Sequence, residues 1–261
     1  MYNFENLICT QENNIMVLVI NRTKVLNALN SEVISDLGEA FSMMENDSEI
    51  DVVIITGNGE KAFIAGSDVS EMANCTPLEA RTFALQVNSV QQKIALFPKP
   101  TIAAINGFAF GGGLELAMCC DIRIASKKAK LGQPELNVGL IPGGGGTQRL
   151  QRIVGVGLAK EMIYTCMTID AQKALEIGLV NSVVSHENIL EAALDLAKKI
   201  SKQSSVLLKF AKAAIDTGAD MDIENALKSE IEIFAQCFGT KDGREGLNAF
   251  IEKRKPNFIG K

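Results

Sequence analysis

The amino-acid sequence predicts an α/β fold that becomes helical toward its C-terminus. Apolar, strand-like segments occupy residues 15–20, 51–57 and 101–107, and helical patterns separate them. Such alternation is typical of βα units around a parallel sheet. The C-terminal part of the chain carries only helical patterns. We therefore predict an α/β core over residues 1–190, which holds the functional site, and a helical portion over residues 191–261.

The N-terminal elements support this prediction one by one. The run IMVLVI is uniformly apolar, as in a strand buried on both faces. Residues 31–47 have apolar positions at helical spacing, and either Asn30 or Ser31 can cap that helix. The run DVVIITG predicts a second buried strand. After a turn rich in Gly and Asn, the stretch from Pro77 to Leu96 predicts a helix.

The central elements include a third apolar strand, TIAAING, which leads into the triple glycine Gly111–Gly113 and the start of a helix. A further strand is predicted within CDIRIASKKAKLG, where Gly132 bounds it. Helical patterns then follow at residues 157–166, 171–178, 187–203 and 205–218, and from about Asp222 onward.

Charge and composition exclude several classes of function. The formal net charge is -5 and Lys and Arg form no dense stripe, so we expect neither nucleic-acid binding nor membrane binding. No apolar run is long enough for a membrane span, and the N-terminus lacks a secretory pattern. The six cysteines are scattered, which predicts reduced thiols in the cytoplasm. With His186 as the single histidine, we expect no metal site.

One carboxylate has mainly apolar neighbours. Glu115 follows the three glycines in GFAFGGGLELAMCCD, and a continuous helix would place it on one face with Met118, Cys119 and Ile122. A buried carboxylate must be paired, hydrogen-bonded or protonated, and burial raises its pKa toward that of a general acid or base. The adjacent glycine N–H groups could hold a developing oxyanion. Taken alone, the pattern fits a non-functional alternative equally well. In that alternative the glycines form only a tight strand-to-helix turn, and Glu115 is a glutamate that the helix dipole favours in the first turn.

Two further segments carry candidate polar groups. Glu135 follows Pro134, where we expect extended chain, and a surface loop charge is the alternative interpretation. In AFIAGSDVSE, the backbone N–H of Ser67 could complement that of Gly112. The alternative there is a plain turn in which Asp68 caps the next helix.

Taken together and in order, the motifs resemble the enoyl-CoA hydratase/isomerase superfamily, the crotonases. The resemblance extends over nearly the whole chain. It rests on the segments NRTKVLNALN, KAFIAGSDVSEM, KPTIAAINGFAFGGGLELAMCCDIRIAS, LGQPELNVGLIPGGGGTQRL, IGLVNSVV and AFIEKRKPNF. It implies the ClpP/crotonase type of α/β fold, a spiral of ββα units with a helical C-terminal portion.

The resemblance also implies a lyase reaction, the reversible syn hydration of short-chain trans-2-enoyl-CoA to 3-hydroxyacyl-CoA. In reverse, the reaction dehydrates 3-hydroxybutyryl-CoA to crotonyl-CoA, as in fatty-acid and butyrate metabolism. Glu115 and Glu135 match the two family glutamates, so Glu115 is expected to deprotonate the water and Glu135 to exchange the proton at C2. Which of them is acid and which is base at each step stays open, because coupled carboxylates titrate as a pair.

The family's oxyanion hole, two backbone N–H groups, maps onto Ser67 and Gly112. The loop Ala65, Gly66, Ser67, Asp68 and Val69 is expected to line the path of CoA. Lys24 and Arg22 are candidates for its phosphate end, with solvated surface charge as the alternative. CoA belongs to the substrate, so no separate cofactor is expected. The resemblance further implies a homo-trimer or a homo-hexamer built as a dimer of trimers, with contacts from the helical C-terminal portion.

Some residues depart from the commonest family pattern. These are Thr23, Ser67, Leu114 and Gly144. Ser67 is expected to act through its backbone, whereas Leu114 and Gly144 could alter the shape of the pocket. The departures therefore bear on the preferred acyl chain more than on the type of reaction.

Three alternative functions remain. An enoyl-CoA isomerase or a thioester hydrolase could use the same scaffold, although family isomerases typically keep only the second glutamate. A serine hydrolase using Ser67 lacks a G-x-S-x-G motif, and its only candidate histidine is His186. A non-catalytic binding protein on this fold is disfavoured by the acidic charge balance and by the pair Glu115 and Glu135.

Overall fold

A computed structural model of the protein describes residues 2–261. The strands are β1 (Leu7–Glu12), β2 (Ile15–Ile20), β3 (Val52–Gly57), β4 (Ala62–Ile64), β5 (Thr101–Ile105), β6 (Phe108–Phe110), β7 (Ile122–Ser126), β8 (Lys130–Gly132), β9 (Thr168–Asp170) and β10 (Ser182–Val184). The α-helices are α1 (Ser31–Glu45), α2 (Val69–Met72), α3 (Pro77–Ala95), α4 (Gly112–Ala117), α5 (Gly146–Val154), α6 (Val156–Tyr164), α7 (Ala171–Glu176), α8 (Ile189–Ile200), α9 (Ser205–Ala219), α10 (Ile223–Cys237) and α11 (Lys241–Ile251). Short 3-10 helices lie at Thr23–Val25, Glu135–Val138 and His186–Asn188.

The strands form two sheets. The larger has six strands in the order β1-β2-β3-β5-β7-β10 and is parallel except for the β1/β2 pair. The smaller has four strands in the order β4-β6-β8-β9 and is antiparallel only between β8 and β9. This parallel pairing confirms the predicted α/β class.

Both faces of the larger sheet are buried, which explains why its central strands β2, β3 and β5 are almost entirely apolar. Along β3, Val53 and Ile55 enter one core, whereas Val52 and Ile54 enter the other. Helices α1 and α3 pack against each other beside the first core. The second core is closed by the buried residues of α8, namely Ile189, Ala193 and Ala197.

Long apolar or well-capped segments were predicted correctly. The first strand occupies Ile15–Ile20 as β2, and α1 begins after Asn30, whose side chain accepts a hydrogen bond from the N–H of Val33 at 3.0 Å. Helix α3 begins at Pro77 behind a capping box formed by Thr76. The three-residue strands β4, β6, β9 and β10 were not predicted, because such short segments show no clear periodicity. Strand β1 was also missed, since half of its residues are exposed.

Two local predictions were wrong. Helix α4 ends at Ala117, so Met118, Cys119 and Ile122 do not continue a helical face with Glu115. Ile122 instead begins β7 and lies opposite Ile102 in β5, within the segment for which a strand was also predicted. The end of the helix was missed because no Gly or Pro marks it. Glu135 does not lie in extended chain, since it begins the 3-10 helix Glu135–Val138. Proline restricts the residue before it, not the residue after it.

One ion pair attaches the C-terminal helices to the large sheet. Asp121, just before β7, accepts hydrogen bonds from the backbone N–H and the hydroxyl of Thr101, at 2.7 and 3.0 Å. The ammonium of Lys212 on α9 lies 2.7 Å from the other carboxylate oxygen. Asp121 therefore ties β5, β7 and α9 together.

No helix within residues 2–261 is both long and apolar enough to cross a membrane.

Replacing Asp121 with Ala is expected to lower the free energy of unfolding by about 2 kcal/mol, because the Thr101 N–H loses its acceptor and Lys212 loses its partner. The matched control is Asp220→Ala, which removes an exposed ion pair with Arg152 and should change stability by less than about 0.5 kcal/mol. Urea unfolding of both variants measures the difference. Equal stability of the two variants would contradict this role for Asp121.

Candidate active site

A cavity of about 340 Å³ collects most of the residues predicted for the site. The residues predicted for the site that line this cavity are Ala65, Gly66, Ser67, Val69, Gly112, Glu115 and Glu135. Apolar side chains of α3 and of the loop before α5 complete the wall. Segments that are far apart in the sequence therefore meet in one place, as the motif analysis predicts.

The triple glycine has no side chains, so the two carboxylates and the nearby backbone can lie close to one another. Gly111 has a φ of +49°, a conformation that side chains other than glycine rarely adopt. A Cβ atom on Gly111 would lie 3.0 Å from Oε1 of Glu135. A Cβ atom on Gly112 would lie 2.7 Å from Oγ and 3.6 Å from the backbone nitrogen of Ser67. A side chain at either position would therefore fill space between the groups of the site.

Glu115 is almost fully buried, with 3% of its surface exposed. Its Oε1 atom accepts hydrogen bonds from the backbone N–H groups of Gly144 and Gly146, at 2.9 and 2.8 Å. Burial raises the pKa of Glu115, while these two donors and the charge of Arg149 act in the opposite direction. The carboxylate is thus held by its Oε1 atom, and Oε2 is left for other contacts.

Glu135 lies in a different environment. It is half-buried at the start of its 3-10 helix, and burial raises its pKa to about 7, with a smaller contribution from the charge of Glu115. When the carboxamide nitrogen of the buried Gln133 faces Glu135, it donates to Oε1 at 2.8 Å and to Oε2 at 3.1 Å. This donation favours the ionised form. The carboxyl group can therefore gain and lose a proton near neutral pH.

Two backbone N–H groups next to the carboxylates are free to bind a ligand. Within residues 2–261, neither the N–H of Ser67 nor that of Gly112 donates a hydrogen bond to a protein acceptor. The chain around Ser67 is fixed by its neighbours, since Leu29 donates to the carbonyl of Gly66 at 2.9 Å and accepts from Asp68 at 2.7 Å. Because both N–H groups belong to residues that line the cavity, they can polarise a carbonyl group there.

The residues predicted near the CoA phosphates lie outside the lining of this cavity. Arg22 donates to a carboxylate oxygen of Asp68 at 3.2 Å and to the carbonyl of Ala28 at 2.6 Å. Asp68 also caps α2 by accepting from the N–H of Ser70. Lys24 is exposed in the 3-10 helix Thr23–Val25. The assignment of Lys24 to CoA stays a prediction.

The geometry gives no support to a serine hydrolase. The single histidine, His186, lies within 3.1 Å of Ser126 through its Nδ1 atom, and it is absent from the lining of the cavity that contains Ser67.

Residues 2–261 also contain no cluster of three or more side chains that could hold a metal ion. All six cysteines are free thiols.

Three polar residues of the site were not found from the sequence. Arg149 on α5 donates to the carbonyl of Gly144 at 3.0 Å and so holds the loop that binds Glu115. Gln133 contacts Glu135, and Gln91 on α3 is fully buried near both Arg149 and Glu115. The sequence does contain a signal that Gln91 is buried, since it lies at helical spacing between the apolar residues Val87 and Ile94.

Several known proteins are similar to this chain in sequence or in structure. A short-chain-enoyl-CoA hydratase from Clostridium acetobutylicum is 49% identical over 250 residues, which cover 96% of each chain. A crotonyl-CoA hydratase from Syntrophomonas wolfei is 46% identical over 258 residues, which cover 99% of each chain. The crystal structure of an enoyl-CoA hydratase from Bacillus anthracis matches with a TM-score of 0.95 at 39% identity, covering 98% of this chain and 100% of the other.

These matches confirm the crotonase type of fold that the motifs predict. The family model described as enoyl-CoA hydratase/isomerase matches residues 10–261. Because the match extends over nearly the whole chain and the relatives are close to half identical, the chain belongs to the enoyl-CoA hydratase/isomerase family.

Proposed function

We propose that this protein is a hydro-lyase that adds water reversibly to short-chain trans-2-enoyl-CoA thioesters. The observation that carries the proposal is that Glu115 and Glu135 line one cavity with the free N–H groups of Ser67 and Gly112. The names of the relatives from Clostridium and Syntrophomonas support the substrate class.

The first step binds and polarises the thioester. Its carbonyl oxygen accepts hydrogen bonds from the N–H groups of Ser67 and Gly112, which stabilise the enolate-like charge that develops as water adds. One such donor contributes about 3 kcal/mol to transition-state stabilisation. The glycine at position 112 allows this approach, because a side chain there would lie against Ser67.

The two carboxyl groups then carry out the two proton transfers that accompany the addition of water. Glu115, fixed through Oε1, accepts a proton from the water molecule as its oxygen bonds to C3. Glu135 delivers a proton to C2, which suits a group whose pKa is about 7. Both carboxyl groups line the same cavity, and the resemblance to the family implies that the addition is syn.

The acyl group occupies the apolar part of the cavity. The apolar side chains that line it are Met72, Phe83, Val87, Leu140 and Ile141. A cavity of about 340 Å³ accommodates a short acyl chain and the adjoining part of the pantetheine arm. Initial rates with four-, six- and ten-carbon enoyl-CoA substrates should therefore be highest for the four-carbon compound, crotonyl-CoA.

We also propose that the protein assembles as a homo-trimer or as a hexamer of two trimers. The C-terminal helices expose large apolar side chains that are unusual on a monomer surface. The most exposed of these are Ile215, Ile223, Ile231, Phe234, Phe250 and Ile251. The free cysteines suit the cytoplasm, where thiols stay reduced.

A second reaction on the same scaffold is less well supported. An isomerase needs one carboxylate to move a proton and does not need a base for water. The two backbone hydrogen bonds to Glu115 oppose the rise in pKa that burial causes, and so favour a carboxylate that can act as such a base in hydration. Formation of 3-hydroxybutyryl-CoA from crotonyl-CoA distinguishes hydration from isomerisation, which yields an unsaturated product, and the absence of free thiol distinguishes it from thioester hydrolysis.

Replacing Glu115 or Glu135 with Gln is expected to lower kcat for crotonyl-CoA hydration by about 1,000-fold, because each variant loses a proton acceptor or donor at the reacting atoms. The matched control is Glu39→Gln, at an exposed position of α1, which should leave kcat unchanged. Near-wild-type turnover in either cavity variant would contradict the mechanism based on two carboxyl groups.

Replacing Ser67 with Ala should leave hydration within about threefold of the wild-type rate, because the backbone N–H is retained. The Ser67 hydroxyl forms no hydrogen bond with any residue from 2 to 261. A serine hydrolase would instead lose its activity in this variant. Steady-state rates with crotonyl-CoA, together with a free-thiol assay, separate the two outcomes.

Hydration should become slower as the pH rises above about 7. Glu135 must carry the proton that it delivers to C2, and its pKa is raised to about 7, so the active form is populated below this pH and lost above it. The measurement is kcat/KM for crotonyl-CoA across the pH range in which the protein stays folded. A profile that stays level through the alkaline range would show that another group supplies this proton.

A further inference from the structure

Gln91 is a buried polar residue on a helix face that is otherwise apolar. It has 0% of its surface exposed, and the other buried residues of α3 are Val87 and Ile94. Burying a carboxamide costs free energy unless its donor and acceptor atoms find partners. Its place in the core therefore calls for a polar contact.

The contacts of Gln91 define which way its amide points. Its Oε1 atom accepts from Nη1 of Arg149 at 3.4 Å. A guanidinium group can only donate, so the carboxamide oxygen must face Arg149 and the nitrogen must face the other way. That nitrogen is buried and has no hydrogen-bond partner within residues 2–261.

The free nitrogen lies close to the carboxylate of Glu115. A Cβ atom placed on Gly144 would lie 3.0 Å from Nε2 of Gln91 and would overlap Oε2 of Glu115. The two side-chain atoms thus flank one small space beside Gly144, which is open only because residue 144 is glycine. Because the two atoms form no direct hydrogen bond, a polar contact between them requires a bridging water molecule.

The two oxygens of Glu115 have unequal partners. Oε1 accepts from two backbone N–H groups, whereas Oε2 accepts from no protein donor among residues 2–261. Oε2 is therefore the oxygen that is free to accept a proton from water. A donor beside it would orient this oxygen and stabilise the ionised carboxylate.

We propose that Gln91 is a positioning residue for Glu115: its carboxamide N–H group donates to Oε2 through one bridging water molecule and so holds this oxygen toward the substrate. The inference rests on the proposed hydration reaction. It assigns a role to a residue that contacts neither the substrate nor the reacting atoms.

Other charged or titratable groups around Glu115 must be separated from this effect. They are Glu135 on its 3-10 helix, Arg149 on α5 and Cys119 just beyond α4. Gln92, the neighbour of Gln91, is the matched control for contact with Arg149. Its side chain also accepts a hydrogen bond from the guanidinium group of Arg149, at 3.3 Å. Gln92 is exposed.

The test compares Gln91→Met with Gln92→Met in crotonyl-CoA hydration. Methionine keeps the length of the side chain but lacks the N–H donor. In Gln91→Met, kcat should fall by about tenfold with little change in KM, because one charge-assisted hydrogen bond is lost. The acidic limb of the profile of kcat against pH should move to higher pH, since loss of the donor raises the pKa of Glu115. Gln92→Met should leave both unchanged.

A second variant, Gln91→Glu, keeps the acceptor for Arg149 but places a like charge beside Glu115. It should lower kcat further than Gln91→Met, and it decides the question if Gln91→Met does not fold. Wild-type kcat and an unmoved pH profile in a folded Gln91 variant would overturn the inference, as would an equal loss in Gln92→Met. If the wild-type protein did not hydrate crotonyl-CoA, the proposed function would fail first and the inference with it.

Discussion

The organisation of the site depends on the burial of one carboxylate, that of Glu115. Taking such a group out of water costs several kcal/mol unless donors replace the lost hydration. Here the replacement comes from the N–H groups of Gly144 and Gly146, which both reach Oε1. These donors belong to the backbone, so they keep their place without losing side-chain entropy.

This constraint explains the local structure on both sides of the cavity. Helix α4 must begin immediately after β6, because that brings Glu115 to the loop before α5. Arg149 then holds the loop by donating to the carbonyl of Gly144. The glycines at 111, 112 and 144 follow from the same crowding, since a Cβ atom at each would meet a carboxylate or the chain at Ser67.

The sequence was sufficient for the elements with strong periodicity and for picking out the two glutamates that the fold brings into one cavity. The apolar strands and the capped helices were predictable because local pattern and burial agree there. The end of α4 and the 3-10 helix at Glu135 were not, because pairing of β7 in the sheet and packing of the loop decide them. Gln91 was missed for a similar reason. A glutamine on an apolar helix face reveals its role only when the distant partners Arg149 and Glu115 are known.

The two carboxyl groups have environments suited to a reversible reaction. On the proposed mechanism, each hydration leaves the proton on Glu115 and an ionised Glu135, which is the form that dehydration requires. Burial alone would hold the proton on Glu115 and prevent its return, whereas the two backbone donors and Arg149 favour release. Glu135 has its pKa raised by burial, while Gln133 can favour its ionised form. Opposed effects therefore act on the proton affinity of each group, and a reaction that runs in both directions requires each of them to release a proton as well as accept one.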